Sequence, residues 1–378
     1  MKHIERIQKY VRKNWLYLLP SVIFIFVSIV LIAINRSFIF EREFISQYGD
    51  QQLYYKLARG VLNGEFPKSP YTLGYPMLYM PLLLLTGVKE SWTSIMPLAI
   101  SVQAFVLMPI TLFLVFKDKS RKWLIYSFAG LCTYYGLFFW ASTDTLMKYN
   151  FFGLIPLSEP LAIFCLISSY YVYLKYLQTD TPRLRFLVLF AALFAWSIMT
   201  RSTSIILYLP IFVELLLDRR LKPIAIIGGV SALWYAPQIA YNYLCSGDPL
   251  FNGYVWWANG KVAKNTNNIE SLYGFRSSAM FSLRYLVVNI KDLALEYIPF
   301  LLLCGVVALK RNRLVVLVVG CSLLNLVFHL AYWWSNYGGL LHRFLLPNIF
   351  LLLFIFRNEL VYGPATHLGK KRVAKKTS

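Results

Sequence analysis

The apolar positions of this chain gather into long runs rather than into the short alternating stripes of a water-soluble core. Runs long enough to cross about 30 Å of hydrocarbon fall at 16–35, 92–116, 123–140, 160–177, 186–200, 202–217, 223–243, 293–309, 314–334 and 343–356. The pattern predicts an all-α, polytopic membrane protein with about ten transmembrane helices. One more apolar stretch, Tyr75–Val88, contains Pro76 and Pro81 and stops beside Gly87. At 14 residues it reads as an interfacial or re-entrant segment rather than a span. Upstream of it, Tyr54, Leu57, Ala58, Val61 and Leu62 make one apolar stripe at helical spacing, which predicts an amphipathic helix on the outer membrane surface that stops at Gly64. The first outer loop (36–91) thus carries a pair of short helices, and a second large outer loop covers 244–292.

Composition supports lipid as the solvent. The chain is 58% hydrophobic and 15% charged, against about 45–50% and 25% in soluble domains. Its net charge of +21 would suggest nucleic acid in a soluble protein, but topology accounts for it. With ten spans and the N-terminus inside, 24 of the 38 basic residues and only 6 of the 17 acidic ones are cytoplasmic, as the positive-inside bias requires. Counting Tyr75–Val88 as a span would turn every later basic cluster outward. Both termini are therefore expected in the cytoplasm, with the chain in a plasma or inner membrane and no nucleic-acid partner. Residues 1–356 read as one transmembrane domain and 357–378 as a basic cytoplasmic tail in contact with anionic lipid.

Motif content narrows the chemistry. There is no Gly-rich phosphate loop, dinucleotide fingerprint or metalloprotease motif, which excludes a nucleotide-dependent catalytic domain. Four of the five cysteines lie within spans and Cys245 stands alone in an outer loop, so no disulfide or thiolate–metal framework follows. The four histidines are scattered, and no clear ligand cluster for a divalent metal emerges. Chemistry is left to the outer face, where acids and arginines sit at helix ends.

Five segments there form a recognisable series: Asp50 and its helix followed by Tyr71-Thr72-Leu73-Gly74-Tyr75-Pro76; Leu157-Ser158-Glu159-Pro160-Leu161; Met199-Thr200-Arg201-Ser202; Pro237-Gln238-Ile239-Ala240-Tyr241-Asn242-Tyr243 with Gly247-Asp248-Pro249; and His342-Arg343-Phe344-Leu345-Leu346-Pro347. In this order they resemble the type-C glycosyltransferases, the superfamily of protein O-mannosyltransferases and aminoarabinose transferases. The resemblance implies a polyprenyl-phosphate sugar as donor and transfer with inversion to a hydroxyl of a glycan, lipid or protein acceptor at the extracytoplasmic face. Gln51 stands where many relatives place a second acid, which argues against a two-carboxylate metal site, and the added spans or C-terminal domain that many relatives carry are not expected from these 378 residues.

Residue chemistry fits that expectation. An attacking hydroxyl needs a carboxylate to take its proton; Asp50 is the first candidate, and Glu159 assists it or binds the acceptor. Each also sits at a helix N-terminus, where an acid caps free N–H groups and is favoured by the dipole. A phosphate leaving group needs fixed positive charge; Arg201, between two short apolar runs, and Arg343 with His342 beside it are the candidates. Sugar-binding surface is expected from Tyr54, Tyr75, Trp256 and Trp257. Two rival readings are a transporter or flippase of lipid-linked sugars and a non-catalytic membrane subunit of the same fold.

Overall fold

The computed structural model describes residues 2–34, 50–87, 92–117, 119–141, 154, 157–179, 183–251, 253, 283–310, 312–332 and 340–356. Among these, all regular structure is helical: α1 (Lys2–Ile34), α2 (Asp50–Leu62), α3 (Pro76–Thr86), α4 (Trp92–Val102), a π segment (Gln103–Leu107), α5 (Met108–Phe116), α6 (Arg121–Ala141), α7 (Ser158–Gln178), α8 (Leu184–Thr200), a 3₁₀ turn (Ser202–Ser204), α9 (Ile205–Leu217), α10 (Leu221–Ser246), α11 (Leu283–Asp292), α12 (Ala294–Ala308), α13 (Arg313–Leu330) and α14 (Leu340–Ile355). A helix stands on each of the ten apolar runs. Among the described residues, five helical stretches are long and apolar enough to cross a membrane: Asn14–Ile34, Ile95–Phe116, Ser158–Gln178, Leu221–Ser246 and Arg313–Leu330. Such helices are consistent with a multi-pass membrane protein.

The core centres on α7, which packs against α8, α5 and α14 and buries residues all round its circumference, as a helix surrounded by other helices must. Its opposite is α10, which packs on α8 along one side and leaves Leu233, Trp234, Tyr243 and Leu244 exposed. Polar groups tie the helix ends together. Lys119 Nζ, almost fully buried, donates to the carbonyls of Leu353 at 2.7 Å and Phe356 at 2.5 Å, satisfying the free C=O groups that end α14. Arg313 at the start of α13 donates to Asp218 just past α9, 2.7 Å away.

These contacts define the two ends of the bundle. The end where α14 finishes carries Lys119, with Lys310 over the Phe356 ring. The other end carries the starts of α7 and α14 and the finish of α8, since α7 and α8 are consecutive and antiparallel. Glu159, Arg201 and Arg343 therefore return to one end although far apart in sequence.

The segment 50–87 differs in one respect from the sequence expectation. Gly64 adopts φ +78° just past α2, as a helix stop requires, and α3 has 11 residues, too few to span. The apolar stripe of α2, however, lies against protein. Leu57 packs with Leu73 and Tyr241, and Tyr54 and Ala58 pack with Tyr75, Tyr79 and Leu83. A stripe of this width suits a membrane surface and a helical neighbour equally; here α3 and the loop before it supply the neighbour.

Candidate functional site

The site begins with the way residues 67–75 are fastened. The Thr72 hydroxyl donates to the Met199 carbonyl, the Gly74 amide donates to the same oxygen at 3.2 Å, and the Trp196 indole N–H donates to Gly74 O at 2.8 Å. Leu73 N donates to Gln238 Oε1 at 2.7 Å; Gln238 Nε2 donates to Asn242 Oδ1 at 2.7 Å, and Asn242 Nδ2 donates to Pro249 O at 3.0 Å. The Tyr241 hydroxyl donates to Pro67 O. Three of the sequence motifs are thus physically one joint, in which the first loop is clamped between the end of α8 and the end of α10.

Gly74 has a steric reason to be glycine. A Cβ there would lie 2.2 Å from Thr200 N and 2.3 Å from Met199 C, both backbone atoms with no room to yield. Gly74→Ala is expected to cost about 1–3 kcal/mol, as overpacking does. The check is a lower thermal unfolding temperature in detergent; an unchanged temperature would mean that the joint is not tight.

Four charged side chains meet beside this joint. Helix α8 ends at Thr200, and Arg201 is extended (φ −153°, ψ 103°) before the chain turns into α9, so its side chain leaves from a break between helices. Arg201 Nη1 lies 2.7 Å from Glu159 Oε1, and its guanidinium carbon lies 4.9 Å from the Phe344 ring centre. Glu159, in the first turn of α7, also accepts from Arg343 Nε on that same oxygen. Arg343 Nη2 continues to Asp50 Oδ2 at 3.2 Å. Asp50, the first residue of α2, accepts on Oδ1 from the Tyr71 hydroxyl at 2.6 Å. The chain of charges is Tyr71–Asp50–Arg343–Glu159–Arg201, two acids and two guanidiniums, formally neutral.

Burial separates the two acids. The Glu159 side chain is 1% exposed, while that of Asp50 is 32% exposed. An ion pair with Glu159 is held away from water, where each partner depends on the other; Asp50 remains reachable. Burial, then the neighbouring Asp50 carboxylate, pushes the Tyr71 phenol well above its ordinary range. Tyr71 therefore stays protonated and donates to Asp50 at any working pH. Among the described residues, Glu159 Oε2 is buried without a hydrogen-bond partner.

Of the residues expected from sequence, Asp50, Glu159, Arg201 and Arg343 come together. His342 faces other partners: its Nδ1 lies 2.7 Å from the Tyr134 hydroxyl and its Nε2 lies 3.8 Å from Glu296. Tyr54 and Tyr75 are 4% and 0% exposed, so they offer no open face for a sugar. They form a packed aromatic layer beneath Asp50 instead, with Tyr54 4.7 Å from both Tyr71 and Tyr75, centre to centre. Trp256 and Trp257 lie outside the described residues. Sequence reasoning did not single out Tyr71 as the partner of Asp50, nor Phe344 and His329, whose rings stack 4.6 Å apart beside Arg201. Tyr71 and Phe344 sat inside the motifs and were findable there; His329, one of several polar residues in the mainly apolar α13, gave no such signal.

No group of three or more His, Cys, Asp or Glu able to hold a metal ion occurs among the described residues. Fold and site define an all-helical bundle with a partly exposed carboxylate set against a buried acid–arginine cluster. Such a cluster can take a proton at Asp50 and hold an anion at the guanidiniums. Comparison with known proteins finds no matching family model, curated protein or solved structure.

Proposed function

We propose that this protein is a ten-span membrane glycosyltransferase that moves a sugar from a polyprenyl-phosphate donor to an acceptor hydroxyl at the extracytoplasmic face. The observation that carries the reading is the convergence of Asp50, Glu159, Arg201 and Arg343, from four separate segments, on one end of the bundle. That end is opposite to the one with Lys119 and Lys310, which supports basic loops inside, termini inside and the site outside.

In this mechanism the acceptor oxygen attacks the anomeric carbon while Asp50 removes its proton. The bond between that carbon and the phosphate oxygen breaks, and inversion follows from a single displacement. The leaving phosphate carries its charge to the guanidiniums of Arg201 and Arg343. Glu159 is a positioning residue: it holds both guanidiniums on one oxygen and is too buried to reach an acceptor. No step needs a metal ligand set.

Purified protein in detergent is expected to bind polyprenyl-phosphate hexoses, detectable as a thermal stabilisation that rises with donor concentration. Arg201→Ala should raise the donor KM about tenfold or more, in line with loss of a charge-assisted contact, and leave the acceptor KM within about twofold. Equal effects on both substrates would make Arg201 a structural residue, and no binding across a panel of polyprenyl-phosphate sugars would contradict the reading.

A further inference from the structure

We propose that Asp50 is the resident counter-ion of an anion site on Arg343, and that the phosphate headgroup of an incoming lipid-linked donor displaces it. The identity of that headgroup rests on the glycosyl-transfer reading; the competition itself rests on geometry. Arg343 presents two edges. Its Nε is committed to Glu159, which is 1% exposed, while its Nη2 reaches Asp50, which is 32% exposed. Glu159 Oε1 takes both Arg201 and Arg343, so one buried carboxylate serves two guanidiniums and leaves one positive charge to balance. Asp50 supplies that balance from the solvent side, on the first residue of α2.

A phosphodiester carries one negative charge and matches the guanidinium fork at least as well as a carboxylate does. It can replace Asp50 one for one at Arg343, keep the Arg201–Glu159–Arg343 group neutral and leave the Glu159 pairs in place. The same contact therefore cannot serve the base and the donor at once: seating the headgroup releases Asp50 from Arg343. Asp50 keeps its hydrogen bond from Tyr71, and is then free to accept from a hydroxyl. An acceptor, or water, therefore meets a free Asp50 mainly when a donor is present.

Competition of this kind lowers apparent affinity by the fraction of time the site is open. If Asp50 occupies Arg343 for about nine-tenths of the time, removing its charge tightens anion binding about tenfold. The test measures binding of a short-chain polyprenyl phosphate and, separately, of inorganic phosphate to the full-length protein in detergent. Asp50→Asn is expected to bind polyprenyl phosphate about tenfold more tightly than wild type. Asp50→Glu, which keeps the charge, should stay near wild type, and Asp50→Asn in an Arg343→Ala background should gain nothing. Asp50→Ser removes the same charge should the Asn variant fail to fold. A gain with both probes shows that the charged group suffices; a gain with polyprenyl phosphate alone shows that the lipid is read as well. Wild type that binds while Asp50→Asn binds equally or more weakly overturns the exchange but not the glycosyl-transfer reading. Failure of wild type and both uncharged variants to bind either probe overturns both.

Discussion

Asp50→Asn is expected to lower the rate of sugar transfer by a factor on the order of 10² to 10⁴, the usual contribution of a positioned general base, while the protein still inserts and folds. The two halves of that expectation have separate grounds. The amide keeps the shape of the carboxylate but accepts a proton far less readily, so the chemical step suffers. Stability is spared because Asp50 is a third exposed, and partly solvated ion pairs contribute about 0–1 kcal/mol. The measurement is kcat for transfer alongside the thermal unfolding temperature. A rate within about threefold of wild type would remove Asp50 from the role of base, since that loss is far below the catalytic range.

Glu159 predicts the opposite division. Its side chain is buried, and both Arg201 and Arg343 depend on its Oε1. Removing one member of a buried pair strands the other's charge and typically costs about 3–5 kcal/mol; here two cations are left. Glu159→Ala should therefore unfold well below wild type or fail to accumulate, with donor binding lost together with stability. Arg201→Ala should cost less, because Glu159 keeps Arg343 and the stranded charge is avoided. Thermal unfolding of the two variants side by side checks the order. An Arg201→Ala variant less stable than Glu159→Ala would mean that Glu159 is not the hub.

Much of this was legible in the sequence because lipid leaves few options. An apolar run of the right length in a strongly hydrophobic chain has to be a helix, and a helix stands on each of the ten runs. The four charges of the site were legible for the related reason that an Arg or Glu at the edge of an apolar run is costly and needs a partner. Which partner it takes was not legible, because facing direction is settled by packing. Adjacent residues on a helix point about 100° apart at 3.6 residues per turn. His342 and Arg343 thus meet different neighbours, Glu296 and Tyr134 for one, Glu159 and Asp50 for the other. Tyr54 and Tyr75 show the same limit from another side. Their spacing fits an apolar stripe, and only the docking of α2 on α3 decides that the stripe is buried against protein, where the rings pack on one another.

The clamp around Gly74 ties three of the sequence motifs into one joint. Thr72 and Gly74 need the carbonyl of Met199, and Leu73 needs Gln238. This joint sets Tyr71 and Asp50 at the right height for Arg343. Spacing within each motif gives no hint of the joint, since its parts lie 127 and 165 residues apart.

The central claim, that Asp50 and the arginines transfer a sugar from a lipid phosphate, is tested most directly by one assay. Wild type and Asp50→Asn are incubated with polyprenyl-phosphate hexoses labelled in the sugar, and release of free polyprenyl phosphate is followed. Wild type is predicted to release it, slowly to water and faster when a hydroxyl acceptor is added, and Asp50→Asn is predicted to bind the donor without releasing it. Release at equal rates from both proteins, or from neither with every donor tested, would contradict the account.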